Sequence, residues 1–305
     1  MKVNEILKAM RFVTPALATP VNKDGSLDTD GLKNLVKYVL EKGMTNIFLL
    51  GYAGECLAFS REERRAVISA AREAAGDGVM IMTGVMDDST NLVLNHISDA
   101  YDCGADCVLT TPTDFVHCED DELRCFFNEI NEKTKLPIFI YNCPENQHYL
   151  TPDLMSEFMQ LENIIGLKQT STVNKIQDMM LKVKNNDKFL MVSGDEFAYF
   201  PAMCLGVEGF IMGGPGNSLV PLSIEILNNF RAGKFEEART GYFKMIGFLN
   251  ELYFTLPYPT MMPQIKAMLE IGGVCGRWMT HPTAAVSDAD MEKIKDMMKR
   301  HDIAM

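Results

Sequence analysis

The sequence predicts an α/β fold of the (β/α)8-barrel (TIM barrel) class, extended by helices at its C-terminal end. Short apolar runs alternate with amphipathic stretches about eight times within the first 230 residues. The runs are apolar on both faces, which is typical of parallel strands covered by helices. No G-x-G-x-x-G follows an early strand, so a closed barrel is favoured over a doubly wound sheet.

The predicted strands and helices alternate in chain order. Strands are predicted at 12–20, 47–50, 79–83, 107–110, 137–141, 164–168, 189–193 and 209–212. Helices are predicted between them at 29–42, 61–76, 90–104, 120–133, from 152 onward and at 173–185, with a short helix through Phe200. Their ends carry specific signals: Gly43 stops the first helix, Ser60 begins a capping box with Glu63, and Thr151 precedes Pro152 as an N-cap.

The barrel and its extension are expected to form one domain. We assign residues 1–230 to the barrel and 231–305 to a helical extension of the same domain. The extension is broken at Leu256–Pro263 and at Gly272-Gly273, and no linker-like composition precedes it.

Composition excludes several classes of protein. A chain of 305 residues with 47% hydrophobic residues can bury a large core, which excludes a disordered protein. A net charge of −12 argues against nucleic acid and anionic membranes as partners. The first residues lack the apolar core of a signal peptide, so we expect a cytoplasmic protein. Any anionic substrate would therefore need a local positive potential.

Eight cysteines are scattered without a C-x-x-C pair, and we interpret them as reduced thiols. Cys103, Cys107 and His117 have the residue types of a metal site. However, Cys103 lies at a helix end and Cys107 begins an apolar strand. We therefore expect no metal site, and no cofactor is called for.

Two strand ends carry side chains suited to imine chemistry. Lys168 closes the sixth strand, and a buried amine loses its proton readily and can attack a carbonyl carbon. Tyr141 closes the fifth strand, where a phenol can move the proton that imine chemistry requires. Since catalytic groups of such barrels project from the carboxyl ends of strands, the two should meet. The alternative is a lysine that reaches past the rim to water or to a carboxylate.

The other strand ends are suited to binding. The glycines in Gly51-Tyr52-Ala53-Gly54-Glu55 would let backbone N–H groups converge on a carboxylate, although a tight turn without ligand explains them equally. Asp195 and Glu196 after the seventh strand can bind hydroxyl groups or open a helix. Residues 213–216 rank lower as a phosphate loop, because no Lys or Arg is near. His117 and His148 lie in loops that can approach the pocket.

In this order, the strand ends resemble the dihydrodipicolinate synthase/N-acetylneuraminate lyase family of class I aldolases over nearly the whole chain. The shared segments are Thr14-Pro15, Asp24-Gly25, Gly51-x-x-Gly54-Glu55, Tyr141-Asn142-x-Pro144, Gly166-Leu167-Lys168, Ser193-Gly194-Asp195 and Gln264-Ile265-Lys266-Ala267. The resemblance implies a barrel with a C-terminal helical extension, usually a homotetramer.

The resemblance also implies roles for single residues. Lys168 would form an imine with C2 of pyruvate or a related 2-oxo acid, and Tyr141 would relay a proton. The loop from Gly51 through Tyr52 and Ala53 to Gly54 would hold the carboxylate of the 2-oxo acid. The backbone around Ile211 would face the imine.

Branch-specific residues favour the N-acetylneuraminate lyase side. The segment from Leu167 to Ser171 is similar to the lysine segment of that branch, which implies that Thr170 contacts substrate. Asp195 and Glu196 after Gly194 match its acidic pair, which contacts a hydroxylated sugar chain.

Three departures narrow the substrate. The synthase branch carries an arginine at the position of Asn146, and tyrosines where this chain has Thr113-Asp114. Without the arginine clamp and the relay phenol, dihydrodipicolinate synthesis is not expected. Tyr52-Ala53 replaces the usual hydroxyl-bearing pair, so Tyr52 either supplies a phenol or narrows the pocket.

The sequence therefore predicts an imine-forming lyase that cleaves or condenses a 2-oxo acid, with pyruvate as the common product. N-acetylneuraminate and 2-keto-3-deoxy sugar acids are the leading substrates. One alternative is a dehydratase that uses the same imine. Another is a catalytically weak barrel retained for ligand binding or regulation.

Overall fold

Eight parallel strands form the centre of the molecule, whose computed structural model describes residues 1–112, 117–143 and 149–305. The strands are β1 (Val13–Pro15), β2 (Asn46–Leu49), β3 (Met80–Gly84), β4 (Cys107–Thr110), β5 (Ile138–Asn142), β6 (Ile164–Gln169), β7 (Leu190–Ser193) and β8 (Gly209–Met212). Neighbours pair in chain order from β2 to β8, and β8 pairs with β1. A bridge between Ala16 and Phe48 joins β1 to β2. The sheet is thus a nearly closed barrel, and the predicted (β/α)8 class is confirmed.

Helices alternate with the strands and surround them. They are α1 (Val3–Met10), α2 (Thr29–Glu41), α3 (Arg61–Ala75), α4 (Thr90–Asp102), α5 (Asp120–Lys133), α6 (Pro152–Phe158), α7 (Val173–Lys182), α8 (Tyr199–Cys204), α9 (Gly214–Ser218), α10 (Val220–Arg231), α11 (Phe235–Phe254), α12 (Met262–Ile271) and α13 (Asp288–Arg300). The sequence analysis did not predict α1, whose residues Ile6 and Met10 are fully buried.

Local signals explain the helix starts. The Ser60 hydroxyl accepts from the Glu63 N–H at 3.3 Å, while the Glu63 carboxylate accepts from the Ser60 N–H at 2.8 Å. This is the predicted capping box at the start of α3. Thr151 caps α6 by accepting from the Leu154 N–H at 3.2 Å. Every residue of the eight strands is buried, as their two-sided apolar pattern predicts.

One predicted strand is too long, and one lower-ranked alternative does not hold. The first strand ends at Pro15 rather than at residue 20, because Leu17 N–H donates to the Phe48 carbonyl and Ala18 N–H donates to Asn217 Oδ1. These bonds turn the chain away from β8. Residues 213–216 do not form an open phosphate loop, because they are buried and begin the short helix α9.

The C-terminal helices pack on the barrel. Buried side chains from Ile6 to Met298 belong to one hydrophobic cluster, which spans both parts of the chain. The division at residue 230 remains a prediction. Throughout the described ranges, no helix combines the length and the apolar character needed to cross a membrane.

Candidate active site

Lys168 and Tyr141 lie side by side on adjacent strands. Lys168 of β6 is in register with Tyr141 of β5, and the two residues are 8% and 5% exposed. Lys168 Nζ is 4.1 Å from the centroid of the Tyr141 ring and 5.7 Å from that of Phe48. The parallel register thus brings together the amine and the phenol, and the amine is not out in solvent.

Burial changes the acidity of the amine. It lowers the pKa of Lys168 to about 8, although Cys143 and Glu196 act in the opposite direction. A fraction of about one tenth of the amine is then neutral at pH 7, far more than for an exposed lysine. The side chain can therefore act as a nucleophile near neutral pH.

Burial has the opposite effect on the pKa of the Tyr141 phenol. Its burial raises its pKa well above the usual range, and the nearby Thr170 hydroxyl lowers it by a smaller amount. The phenol therefore keeps its proton at neutral pH. Tyr52 packs beside it, with the two ring centroids 5.7 Å apart. Tyr52 thus brings a second tyrosine ring to the site.

Gly194 has no room for a side chain. A Cβ placed on this residue would lie 2.0 Å from Thr170 Oγ1 and 2.5 Å from Lys168 Cε. The side chains of Lys168, the predicted nucleophile, and of Thr170, a predicted substrate contact, therefore fill the space beside the end of β7. Glycine is required here by close approach rather than by backbone conformation.

The two acidic residues after β7 lie in different environments. Asp195 caps the following turn, with Oδ1 accepting from the Phe197 N–H at 2.9 Å. Glu196 is 6% exposed, and its Oε1 accepts from the Gly214 N–H at 3.2 Å. Burial raises the pKa of Glu196 to about 7; the neighbouring Asp195 adds to this effect and Lys168 opposes it. Glu196 is therefore a carboxyl group that titrates near neutral pH.

The loop after β2 is held by the C-terminal extension. Glu55, at φ 53°, accepts from the fully buried Lys266 ammonium and from the backbone and hydroxyl of Thr280 at 2.9 and 2.6 Å. Lys266 also donates to the Trp278 carbonyl at 3.0 Å. The sequence analysis matched the Gln264–Ala267 segment to the family but did not predict this ion pair.

These groups face a cavity of about 460 Å³ at the carboxyl ends of the strands. The described residues that line it are Ala16, Phe48, Tyr52, Ala53, Glu55, Tyr141, Cys143, Lys168, Thr170, Gly194, Asp195, Glu196, Gly213, Thr260, Met261, Met262, Met279 and Thr283. The last five residues come from the C-terminal extension, and the sequence analysis did not predict them. They carry no signal of charge or spacing, and only the packing of the extension on the barrel brings them here.

Not every predicted residue faces the cavity. Gly51 packs against the Phe48 ring, and Ile211 is fully buried within β8, where Gly213 lines the cavity instead. The His117 side chain is 75% exposed and lies 3.6 Å from Glu119. His148 and Asn146, together with Thr113-Asp114, lie outside the described residues.

The candidate metal ligands Cys103 and Cys107 lie in different environments. Cys107 is fully buried in β4 with its thiol 3.8 Å from Met80 Sδ, whereas Cys103 is the cap residue after α4. Across the ranges that the structure describes, no three His, Cys, Asp or Glu side chains cluster as metal ligands would.

Fold and site together define the class of protein. The carboxyl ends of β1, β2, β5, β6, β7 and β8 contribute to one cavity, with a buried amine of lowered pKa beside a phenol, which is the organisation of a barrel enzyme acting on a small molecule. The model of the dihydrodipicolinate synthetase family matches residues 9–301. The chain therefore belongs to this family, and it is a carbon–carbon lyase of the class I aldolase type.

Similarity to individual proteins extends over nearly the full chain. The chain is 28% identical to a 4-hydroxy-tetrahydrodipicolinate synthase of Methanosarcina mazei, over 94% of this chain and 96% of the relative. It is 27% identical to an N-acetylneuraminate lyase of Mediterraneibacter gnavus, over 95% and 92%. The dihydrodipicolinate synthase structure from Bacteroides thetaiotaomicron superposes with a TM-score of 0.90 at 24% identity, covering 95% of this chain and 98% of that one.

Proposed function

We propose that this enzyme cleaves, or in reverse forms, a 2-oxo acid with a hydroxylated tail through an imine on Lys168, with pyruvate as the common product. N-acetylneuraminate and 2-keto-3-deoxy sugar acids are the leading substrates. The observation that carries the proposal is the buried Lys168 amine, which lies 4.1 Å from the Tyr141 ring and has its pKa lowered to about 8.

In the proposed cleavage, the neutral Lys168 amine attacks the C2 carbonyl of the substrate, and loss of water gives an iminium ion. The C4 hydroxyl then loses its proton with the help of Tyr141, and the C3–C4 bond breaks. The electron pair of that bond moves to C3 and the iminium nitrogen, leaving an enamine and an aldehyde. Protonation of C3 and hydrolysis release pyruvate and regenerate the amine.

The proposed carboxylate site is the loop after β2. The N–H groups of Gly54 and Glu55 bond to carbonyls within this loop, so the substrate carboxylate would be met by the backbone of Ala53 and by Tyr52. The paired Glu55 and Lys266 would hold the loop in shape.

Charge favours a hydroxylated tail over a second carboxylate. Among the described lining residues, Lys168 is the one cation, and Asp195 and Glu196 line the same cavity. The two undescribed stretches, residues 113–116 and 144–148, contain no Lys or Arg in their sequence. Carboxylates accept hydrogen bonds from hydroxyl groups but repel an anionic group. We therefore propose that the substrate is of the N-acetylneuraminate lyase kind, with Thr170 as a further contact.

The test is covalent trapping. With pyruvate and borohydride, we expect a reduced adduct on Lys168, located by mass spectrometry of peptides. Lys266 serves as an internal control, because it is also buried but forms an ion pair with Glu55. Unmodified Lys168 under conditions that label a known class I aldolase would contradict the proposal.

Product analysis then distinguishes cleavage from the dehydratase alternative. Sugar-derived 2-oxo acids, with N-acetylneuraminate first, would be assayed for release of pyruvate and an aldehyde. A product with an intact carbon chain and no aldehyde would instead indicate the dehydratase. We also propose that the enzyme works in the cytoplasm. The family resemblance implies that it does so as a homotetramer.

A further inference from the structure

Asn142 and Gln169 are the last residues of β5 and β6, directly after Tyr141 and Lys168. Successive side chains of a strand point to opposite faces, so Asn142 and Gln169 lie behind the pair that faces the cavity. Both are fully buried, and neither is among the described residues that line the cavity. They are partners in the parallel register, as Tyr141 and Lys168 are. The two pairs therefore lie back to back across the same two strands.

The side-chain amide of Asn142 joins three parts of the chain. Its Nδ2 donates to the Leu150 carbonyl at 3.0 Å, and its Oδ1 accepts from the Leu150 N–H at 3.1 Å. The same Nδ2 donates to Gln169 Oε1 at 2.9 Å. Leu150 directly precedes Thr151, which caps α6. One buried amide thus connects the end of β5, the end of β6 and the start of α6.

These bonds fix the orientation of both amides. The Leu150 backbone offers one donor and one acceptor, which determines which end of the Asn142 amide is the nitrogen. Asn142 then needs an acceptor, so Gln169 presents Oε1, and its buried Nε2 has no hydrogen-bond partner among the described residues. A buried N–H without a partner costs free energy. Stability alone therefore does not explain a glutamine at this position.

The strand ends need support because the proposed reaction is sensitive to geometry. The paired register of β5 and β6 stops at Asn142 and Gln169, one residue beyond the reactive pair. Strand and helix ends open more readily than the centres of elements. A displacement of about 1 Å between reacting groups can cost a factor of about 10² in rate. A side-chain bond at the last pair of the ladder therefore acts where a small movement matters most.

We propose that Asn142 is a positioning residue of this enzyme and that Gln169 assists it. The bond between their side chains ties the ends of β5 and β6 together and holds the Lys168 amine 4.1 Å from the Tyr141 ring. The two bonds to Leu150 hold the end of β5 against the start of α6. Asn142 acts through Tyr141 and Lys168 rather than on the substrate. This inference rests on the imine function proposed above.

The experiment uses pyruvate alone and compares two rates in each protein. Borohydride trapping measures formation of the imine on Lys168. Exchange of the pyruvate methyl protons in D2O, followed by NMR, needs the imine and also the transfer of a C3 proton beside the Tyr141 phenol. We expect Asn142→Leu to lower the ratio of the exchange rate to the trapping rate by about tenfold or more, because the two groups lose their relative position. A smaller folded fraction would lower both rates equally and leave this ratio unchanged.

Asn46→Leu is the matched control. Asn46 is also fully buried, and its Nδ2 donates to the Ala9 carbonyl at 2.6 Å. It begins β2, so it lies at the end of the barrel opposite to the cavity. The substitution removes a buried amide as Asn142→Leu does, but the ratio should stay within about twofold of the wild-type value, since distant sites act independently.

Gln169→Met tests the bond to β6 with less risk to folding. It removes the Oε1 acceptor of Asn142 together with the Nε2 that has no partner, so the urea midpoint should stay close to that of the wild type. The ratio of exchange to trapping should still fall by about threefold or more.

Each outcome decides the matter. An unchanged ratio in Asn142→Leu, or in Gln169→Met if the first variant does not fold, would overturn the positioning role. An equal fall of the ratio in Asn46→Leu would overturn it as well, because the loss of any buried amide would then be sufficient. Failure of the wild-type enzyme to be trapped would instead refute the imine function.

Discussion

Gly194 controls the position of the Lys168 amine, because the Lys168 and Thr170 side chains fill the space that a Cβ would need. We predict that Gly194→Ala displaces Lys168 and slows borohydride trapping by at least about tenfold, while the protein still folds. Gly78→Ala is the matched control, since nothing lies within 4 Å of a Cβ there. Equal trapping rates in the two variants would contradict this account.

Lys168 also makes the folded state less stable at neutral pH. Its folded pKa of about 8 lies below the 10.5 of an ordinary lysine, so below pH 8 folding holds an ammonium group in a site that disfavours it. We predict that Lys168→Met raises the free energy of unfolding at pH 7 by up to about 3 kcal/mol.

This gain should have a defined pH dependence. Between pH 8 and 10.5 the unfolded wild-type chain binds more protons than the folded one, so wild-type stability rises with pH and the difference between the proteins shrinks. Urea unfolding of both proteins at several pH values measures it. If the stability difference between the two proteins instead grows between pH 8 and 10.5, folding does not lower the pKa of Lys168.

At the scale of elements, α12 and the loop after β2 are joined by a buried ion pair. Lys266 is fully buried, and it meets Glu55 at the end of the proposed carboxylate site. We predict that Lys266→Met lowers the free energy of unfolding by about 3–5 kcal/mol, because it leaves the Glu55 carboxylate without its cation. Pyruvate affinity should fall as well.

A control pair lies in α13, where Lys293 is 61% exposed and forms an ion pair with Asp290. Lys293→Met should change the free energy of unfolding by less than about 1 kcal/mol. In a double-mutant cycle, adding Glu55→Gln to Lys266→Met should recover part of the loss. Additive effects of the two substitutions would mean that the ion pair does not connect the elements.

At the scale of the whole molecule, a net charge of −12 coexists with a cavity proposed to bind an anion. Among the lining residues that the structure describes, the cation is Lys168, so the positive potential there comes from one buried amine rather than from the surface.

The number of chains in the assembly is a property of the whole molecule. For the proposed homotetramer we predict a mass in light scattering of about four times the 34.2 kDa of the chain. A single species at the mass of one chain would contradict it.

The sequence alone predicted the alternation of strands and helices from β1 onward and placed Lys168 and Tyr141 at the ends of neighbouring strands. Periodicity and caps are local, so α5, β4 and β8 lie at their predicted bounds, and Ser60 caps α3 as predicted. Parallel pairing makes strand ends converge. The positions of Lys168 and Tyr141 at the ends of their strands were therefore enough to predict that the two residues lie together.

Tertiary structure decided what depends on distant parts of the chain. The Glu55–Lys266 pair joins residues 211 positions apart, and the cavity wall at Thr260–Met262 exists because the extension packs on the barrel. Local pattern carries no information about such contacts. The acidity of Glu196 was likewise beyond the sequence, since a carboxyl pKa near 7 follows from burial and from the charges that folding brings within reach.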